Sequence, residues 1–99
     1  MRRIAAAVAI LMFPPGAGTV AHAEPSGRTL ALSCFSCHGP AGKSPDSIPG
    51  IHGRSEDFIA REMLAFRSGE RRATVMGRIA KGYTEQEIRA LANYLATLN

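Results

Sequence analysis

Two cysteines, Cys34 and Cys37, are all that this 99-residue sequence contains. A small secreted scaffold held by disulfides needs more than one pair. A bridge between these two would close a loop too small to constrain the unfolded chain much. Metal ligands are scarce too. A structural zinc site takes four ligands, and after residue 23 the chain offers only His52 beyond the stretch Cys34 to His38. No βαβ pattern surrounds the cysteines, as a thioredoxin-like redox pair requires. No segment alternates apolar and polar residues long enough to make a useful strand. There is no basic stripe, so nucleic acid is not an expected partner.

A long hydrophobic run is also missing. Ile4 to Phe13 is apolar, but it is too short to span a bilayer as a permanent anchor. It follows Arg2 and Arg3, is broken by Pro14, Pro15 and Gly16, and leads to Ala21-His22-Ala23, with small residues where a signal peptidase reads. This is the secretory pattern. The expected division is a signal peptide, residues 1–23, and a single domain, residues 24–99, released into the periplasm. Cleavage leaves about 76 residues and, without Arg2 and Arg3, a formal charge of about +2. A chain this short buries little surface and needs a staple: a metal, a disulfide or a bound cofactor.

What is present is helical. Ser26 to Ser36 reads as a short helix leading into the cysteines, with Leu30, Ala31 and Leu32 on its apolar side. Gly39, Gly42, Gly50 and Gly53, with Pro40, Pro45 and Pro49, make residues 39–53 a long loop. Loops of this length in small domains usually serve a function. Ser55 offers an N-cap and Gly69 a stop for a helix over Glu56 to Arg67, whose apolar residues Phe58, Ile59, Met63, Leu64 and Phe66 recur at helical spacing. A short helical turn is expected around Arg78 to Lys81, interrupted by Gly77 and Gly82. Thr84 and Glu87 have the spacing of a capping box. The last helix then runs from Glu85 to about Thr97, with Ile88, Leu91, Ala92, Leu95 and Leu98 on one face. The fold class is all-α, with three main helices and long loops.

Cys34-Phe35-Ser36-Cys37-His38 has the spacing C-x-x-C-H, which attaches a c-type haem. The two sulfurs add to the two vinyl groups of one haem, and the next residue, His38, is held under the iron as an axial ligand. One covalently bound haem c is therefore the expected staple. Candidates for the second axial ligand are His52, Met63 and Met76. His52 lies in the loop that most easily packs on the His38 side. Met63 falls on an apolar helix face, where core packing explains it. Met76, beside Gly77 in a stretch read as loop, can bring a flexible thioether to the far face, and a His/Met pair raises the haem potential as a carrier needs. Pro49 can offer its carbonyl to the other nitrogen of His38, or be a simple turn proline. Folded around a flat ring, the chain should leave apolar room between Cys37, His38 and Met76.

Across the region after the signal, the chain resembles class I cytochrome c domains. Cys34 to His38, Pro49-Gly50-Ile51-His52-Gly53, Met76 and Leu91-Ala92-Asn93-Tyr94-Leu95 occur in that family's order. The resemblance implies that the Pro49 carbonyl holds His38 and that Met76 is the sixth iron ligand. Phe66-Arg67-Ser68-Gly69-Glu70 and the run Thr74 to Tyr83 are similar to the cytochrome subunit of flavocytochrome c sulfide dehydrogenase, in its monohaem form. In that complex a flavoprotein subunit oxidises sulfide and passes electrons to the haem subunit. The resemblance implies a chain that is no enzyme by itself but the electron-accepting subunit of an oxidoreductase complex, with a flavoprotein partner and other redox proteins as acceptors. The alternative is a free periplasmic cytochrome carrying electrons between respiratory or photosynthetic partners. A haem enzyme or sensor with an open iron site is a third reading, which a Met76 ligand opposes.

With so few large apolar residues, the haem should supply much of the contact that holds the helices together. The double substitution Cys34→Ala, Cys37→Ala is expected to leave a largely disordered chain. Far-UV circular dichroism checks this; native-like helix content with a sharp thermal transition would contradict it.

Overall fold

The computed structural model describes residues 8–99, so Arg2, Arg3 and Ile4 of the expected export signal lie outside the described residues. Residues 8–25 are exposed and carry no regular secondary structure. Helix α1, Gly27–Ala31, opens the domain and continues through a 3₁₀ turn, Leu32–Cys34, into α2, Phe35–His38. A second 3₁₀ turn, Pro40–Gly42, follows. The remaining helices are α3, Glu56–Ser68, α4, Met76–Ala80, and α5, Glu85–Leu95. No strand occurs among the described residues, so the all-α class stands.

The boundaries have local causes. The Ser26 hydroxyl accepts from Thr29 N at 3.2 Å and starts α1. Ser55 does the same for Phe58 N at 3.1 Å, and Glu56 and Asp57 place negative charge at the positive end of α3. Gly69, at φ 81°, ends α3 in the left-handed conformation. Thr84 caps α5 by accepting from Glu87 N at 3.1 Å, but its hydroxyl donates to the Glu87 carboxylate at 3.3 Å. That is half of a capping box: the carboxylate meets the hydroxyl instead of the Thr84 backbone N–H. Helix α5 stops at Leu95, where the Ala96 and Thr97 amides tighten onto Ala92 and Tyr94 carbonyls, two residues short of the expected end. The short helix was expected around Arg78 to Lys81; it spans Met76–Ala80 and takes Gly77 inside it.

Helix α5 is the hub. It packs on α1 and on α3, and α3 packs on α4. Among the described residues the nine of the buried core are all apolar: Ala31, Ile59, Ala60, Met63, Ala80, Ile88, Leu91, Ala92 and Leu95. Four of them are alanines, so the elements sit close and little side-chain volume fills the middle. The closest approach is at Gly27. A Cβ built there would lie 2.0 Å from the Ala90 carbonyl oxygen and 3.2 Å from Tyr94 Cβ. Only a residue without a side chain lets α1 lie on α5 this tightly. Asn93 adds a polar tie by donating to Glu56 across α5 and α3 at 3.1 Å.

Gly27→Ala must push backbone from backbone, because the obstructing atom is a carbonyl oxygen. Overpacking of this kind costs about 1–3 kcal/mol. The better helix propensity of alanine, worth at most about 1 kcal/mol in a helix interior, offsets it weakly at the first residue of α1. The expected outcome is a lower guanidinium unfolding midpoint for the haem-loaded variant; an unchanged midpoint would contradict the packing argument.

Candidate haem-attachment site

Helix α2 and the turn before it carry the site. Cys34 ends the 3₁₀ turn, and Cys37 and His38 follow within α2, so the three side chains come from one continuous helical run. Both thiols are free, Cys37 exposed and Cys34 half-buried. Burial pushes the Cys34 thiol above its ordinary pKa, and a hydrogen bond with Ser33 pulls the other way.

Gly39 then reverses the chain. Its φ is 85°, and Ala41 and Gly42 follow at 53° and 76°, all in the left-handed region. A Cβ at Gly39 would lie 2.2 Å from the Lys43 carbonyl oxygen, so no other residue fits this bend. The reversal lets the Gly42 carbonyl accept from Ile51 N at 2.9 Å and from His52 N at 3.3 Å. His52 Nδ1 also reaches that carbonyl, at 3.2 Å. The loop is thereby folded back on itself, and the Pro49 carbonyl meets His38 Nδ1 at 2.6 Å. A carbonyl can only accept, so His38 Nδ1 carries the proton and Nε2 keeps its lone pair for a metal. The loop closes on the C-terminus, where Gly53 N donates to Leu98 O at 2.8 Å.

The other candidates are placed as follows. Met63 is buried in the core on α3, 8% exposed. His52 is half-buried and engaged within the loop. Met76 is half-buried and packs against the core. It is the first residue of α4, not a loop residue as expected. Gly77 does not serve a tight approach within the chain: a Cβ there would meet only the Phe66 carbonyl oxygen, at 3.7 Å.

Two open grooves lie elsewhere. One, of about 770 Å³, is lined by α3 and α5 residues including Arg61, Arg67 and Arg89. The other, of about 460 Å³, is bordered by Ser44, His52 and Arg54. Neither is bordered by Cys37, His38 or Met76. Neither groove is the expected apolar room between Cys37, His38 and Met76. Leu32 is 57% exposed, Ile48 41%, Val75 56% and Ile79 39%, and each lies within three residues of a site residue in the chain. Among the described residues no cluster of three or more acidic, histidine or cysteine side chains could hold a bare metal ion.

These residues fit a haem. Two reachable thiols a turn apart suit two covalent links, one imidazole is oriented with Nε2 available, and exposed aliphatic side chains suit the faces and edge of a flat apolar ring. Bound, such a group supplies one-electron redox chemistry. Cys34 and Cys37 would hold the ring, and the Pro49 carbonyl fixes the His38 tautomer. Ser33 and Tyr83 had no signal in the sequence: their hydroxyls meet at 3.2 Å although the residues are fifty positions apart.

Comparison with known proteins agrees with this chemistry. The cytochrome c family model matches residues 25–99. The cytochrome subunit of sulfide dehydrogenase from Chlorobaculum tepidum is 46% identical over 76 residues, covering 77% of this chain and 69% of that protein. The thiosulfate dehydrogenase electron acceptor of Stutzerimonas stutzeri is 34% identical over 89 residues, covering 77% of this chain and 41% of its own length. Cytochrome c-553 of Helicobacter pylori is 33% identical over 73 residues, covering 72% of this chain and 76% of its own. The chain thus spans most of the first and third of these relatives and under half of the second. Attachment motif, helical fold and matched length together make the chain a member of the cytochrome c family, a haem c protein of electron transfer.

Proposed function

We propose that the chain is the electron-accepting haem subunit of a sulfide-oxidising flavoprotein complex. The observation that carries this is the 46% identity to the cytochrome subunit of sulfide dehydrogenase. The likeness to a thiosulfate dehydrogenase electron acceptor supports the same broad role, taking electrons released from a reduced sulfur compound. In this reading Cys34 and Cys37 form the two thioethers. His38 binds the iron through Nε2, oriented by the Pro49 carbonyl. Met76 supplies the sixth ligand from the start of α4. Residues 1–23 direct export and are removed, and the domain works in the periplasm. No helix among the described residues is long and apolar enough to cross a membrane.

Electron transfer needs the haem edge near its partner, so the docking surface borders the attachment turn and α4. Leu32, Val75 and Ile79 are exposed there, and Val75 and Ile79 are joined by a backbone hydrogen bond one helical turn apart. Arg72, Arg78 and Lys81 are exposed on the same stretch of chain. An apolar centre with a charged rim suits a stable partner surface, and the rim charges serve encounter more than affinity. Arg71 is less free than its sequence neighbour. It pairs with Glu62 and its guanidinium lies over the Phe66 ring, 4.7 Å from the centroid.

Two outcomes are expected. Met76→Ala lowers the reduction potential and removes the methionine-to-iron charge-transfer band, because the thioether is lost and the sixth position opens. Met63→Leu conserves volume in the core and costs less than about 1.5 kcal/mol without touching the band. Optical spectra and potentiometry of the two variants decide this.

The partner is tested by tagging the chain in its native host and washing at high salt. A stoichiometric flavoprotein whose sulfide-dependent haem reduction needs this chain is the expected result. Elution of the cytochrome alone, with no reduction by sulfide and any exported flavoprotein, would leave the free-carrier reading.

A further inference from the structure

Residues 26–38 carry both cysteines and His38, and residues 69–99 carry Met76. Among the described residues a single hydrogen bond joins these two segments: Ser33 Oγ to Tyr83 Oη, 3.2 Å. Its direction follows from the neighbours. When the Ser33 hydroxyl donates to the Leu30 carbonyl, at 3.2 Å, or toward the Cys34 sulfur, its oxygen accepts from the Tyr83 hydroxyl. Ser33 is the residue before Cys34, and its own carbonyl accepts from Ser36 Oγ at 2.8 Å, within the attachment run.

The other end of Tyr83 is fixed just as firmly. Its amide donates to the Ala80 carbonyl at 3.2 Å, and the Gly82 amide to Ile79 O at 3.0 Å, so Tyr83 belongs to the turn that ends α4. Its carbonyl accepts from Arg67 Nε of α3 at 2.9 Å. Its ring is half-buried against the core. Tyr83 therefore ties three elements at one point: the attachment run, α3, and the helix that begins with Met76.

We propose that Tyr83 is a positioning residue for the sixth iron ligand, its hydroxyl bond to Ser33 keeping α4, and with it the Met76 sulfur, at a fixed distance from the attachment run. This rests on the reading of Met76 as that ligand. A thioether is a weak ligand and stays on iron only where its approach is held; without the latch, α4 can swing away and an outside ligand can take the position. Tyr83 acts through α4, and Ser33 is its anchor on the attachment run.

The test uses haem-loaded protein and imidazole as the outside ligand, followed by loss of the methionine-to-iron charge-transfer band. Ser33→Ala alters an exposed side chain and Tyr83→Phe keeps the ring, so both should fold. Loss of one such hydrogen bond should raise imidazole affinity about fivefold in either variant. The double variant should gain no more than one of them, because both delete the same bond. Ser33→Thr, which keeps a hydroxyl, should restore the parent affinity. Ser55→Ala removes the N-terminal cap of α3, outside both joined segments, and should weaken the fold while leaving imidazole affinity unchanged. Parent-like affinity in Ser33→Ala, additive gains in the double variant, or an equal gain in Ser55→Ala overturns the latch. Met76→Ala, run in parallel, separates the two readings. A band that survives there overturns both the ligand assignment and the latch. A band lost there with Ser33→Ala unaffected overturns the latch alone.

Discussion

A nitrogen and an oxygen 2.6 Å apart, His38 Nδ1 and the Pro49 carbonyl, set the arrangement of the first half of the domain. An imidazole on the last residue of a four-residue helix would otherwise be free to turn and to exchange its tautomer. The bond removes both freedoms. The loop exists to deliver that carbonyl. Gly39 and its two left-handed neighbours reverse the chain, Gly42 O gathers Ile51 and His52, and Gly53 is moored to the C-terminus. Each of these features costs conformational freedom, and together they hold one acceptor in place.

The second half answers a different constraint, the shortage of side-chain volume. Among the described residues only Ile88, Leu91 and Leu95 are large and fully buried, and all three lie on α5. The alanines at 31, 60, 80 and 92 bring backbones close but contribute little transfer energy. A domain of this size with this core is marginal by itself. Leu32, Val75 and Ile79, exposed in the attachment run and in and beside α4, are apolar surface that a large flat cofactor would cover.

What could be read from the sequence was what is local. Ser55, Gly69 and Thr84 mark their helix ends through bonds of three or four residues, so α3 and the start of α5 follow from spacing. That Cys34, Cys37 and His38 come together was legible for the same reason: they lie in one continuous helical run. Gly77 misled, because a glycine reads as a break, yet it sits within α4 where tertiary contact with α3 outweighs its weak propensity. Contacts across long separations left no trace. Nothing near Gly27 announces that Ala90 will lie against it, and nothing near Ser33 announces Tyr83. Nothing near Arg71 announces its pairing with Glu62 or its place over the Phe66 ring.

The contact of α1 with α5 has a consequence for the order of events in the cell. The first and last helices of the domain touch, so the loop they close is nearly the whole domain, and closing it must wait until the final residues have emerged. A chain that emerges N-terminus first presents Cys34 and Cys37 well before Ala90 arrives to meet Gly27. During that interval both thiols stand on polypeptide that the last helix has not yet covered. The topology therefore acts as a clock: the cysteines are offered first, and the last helix closes the domain afterwards.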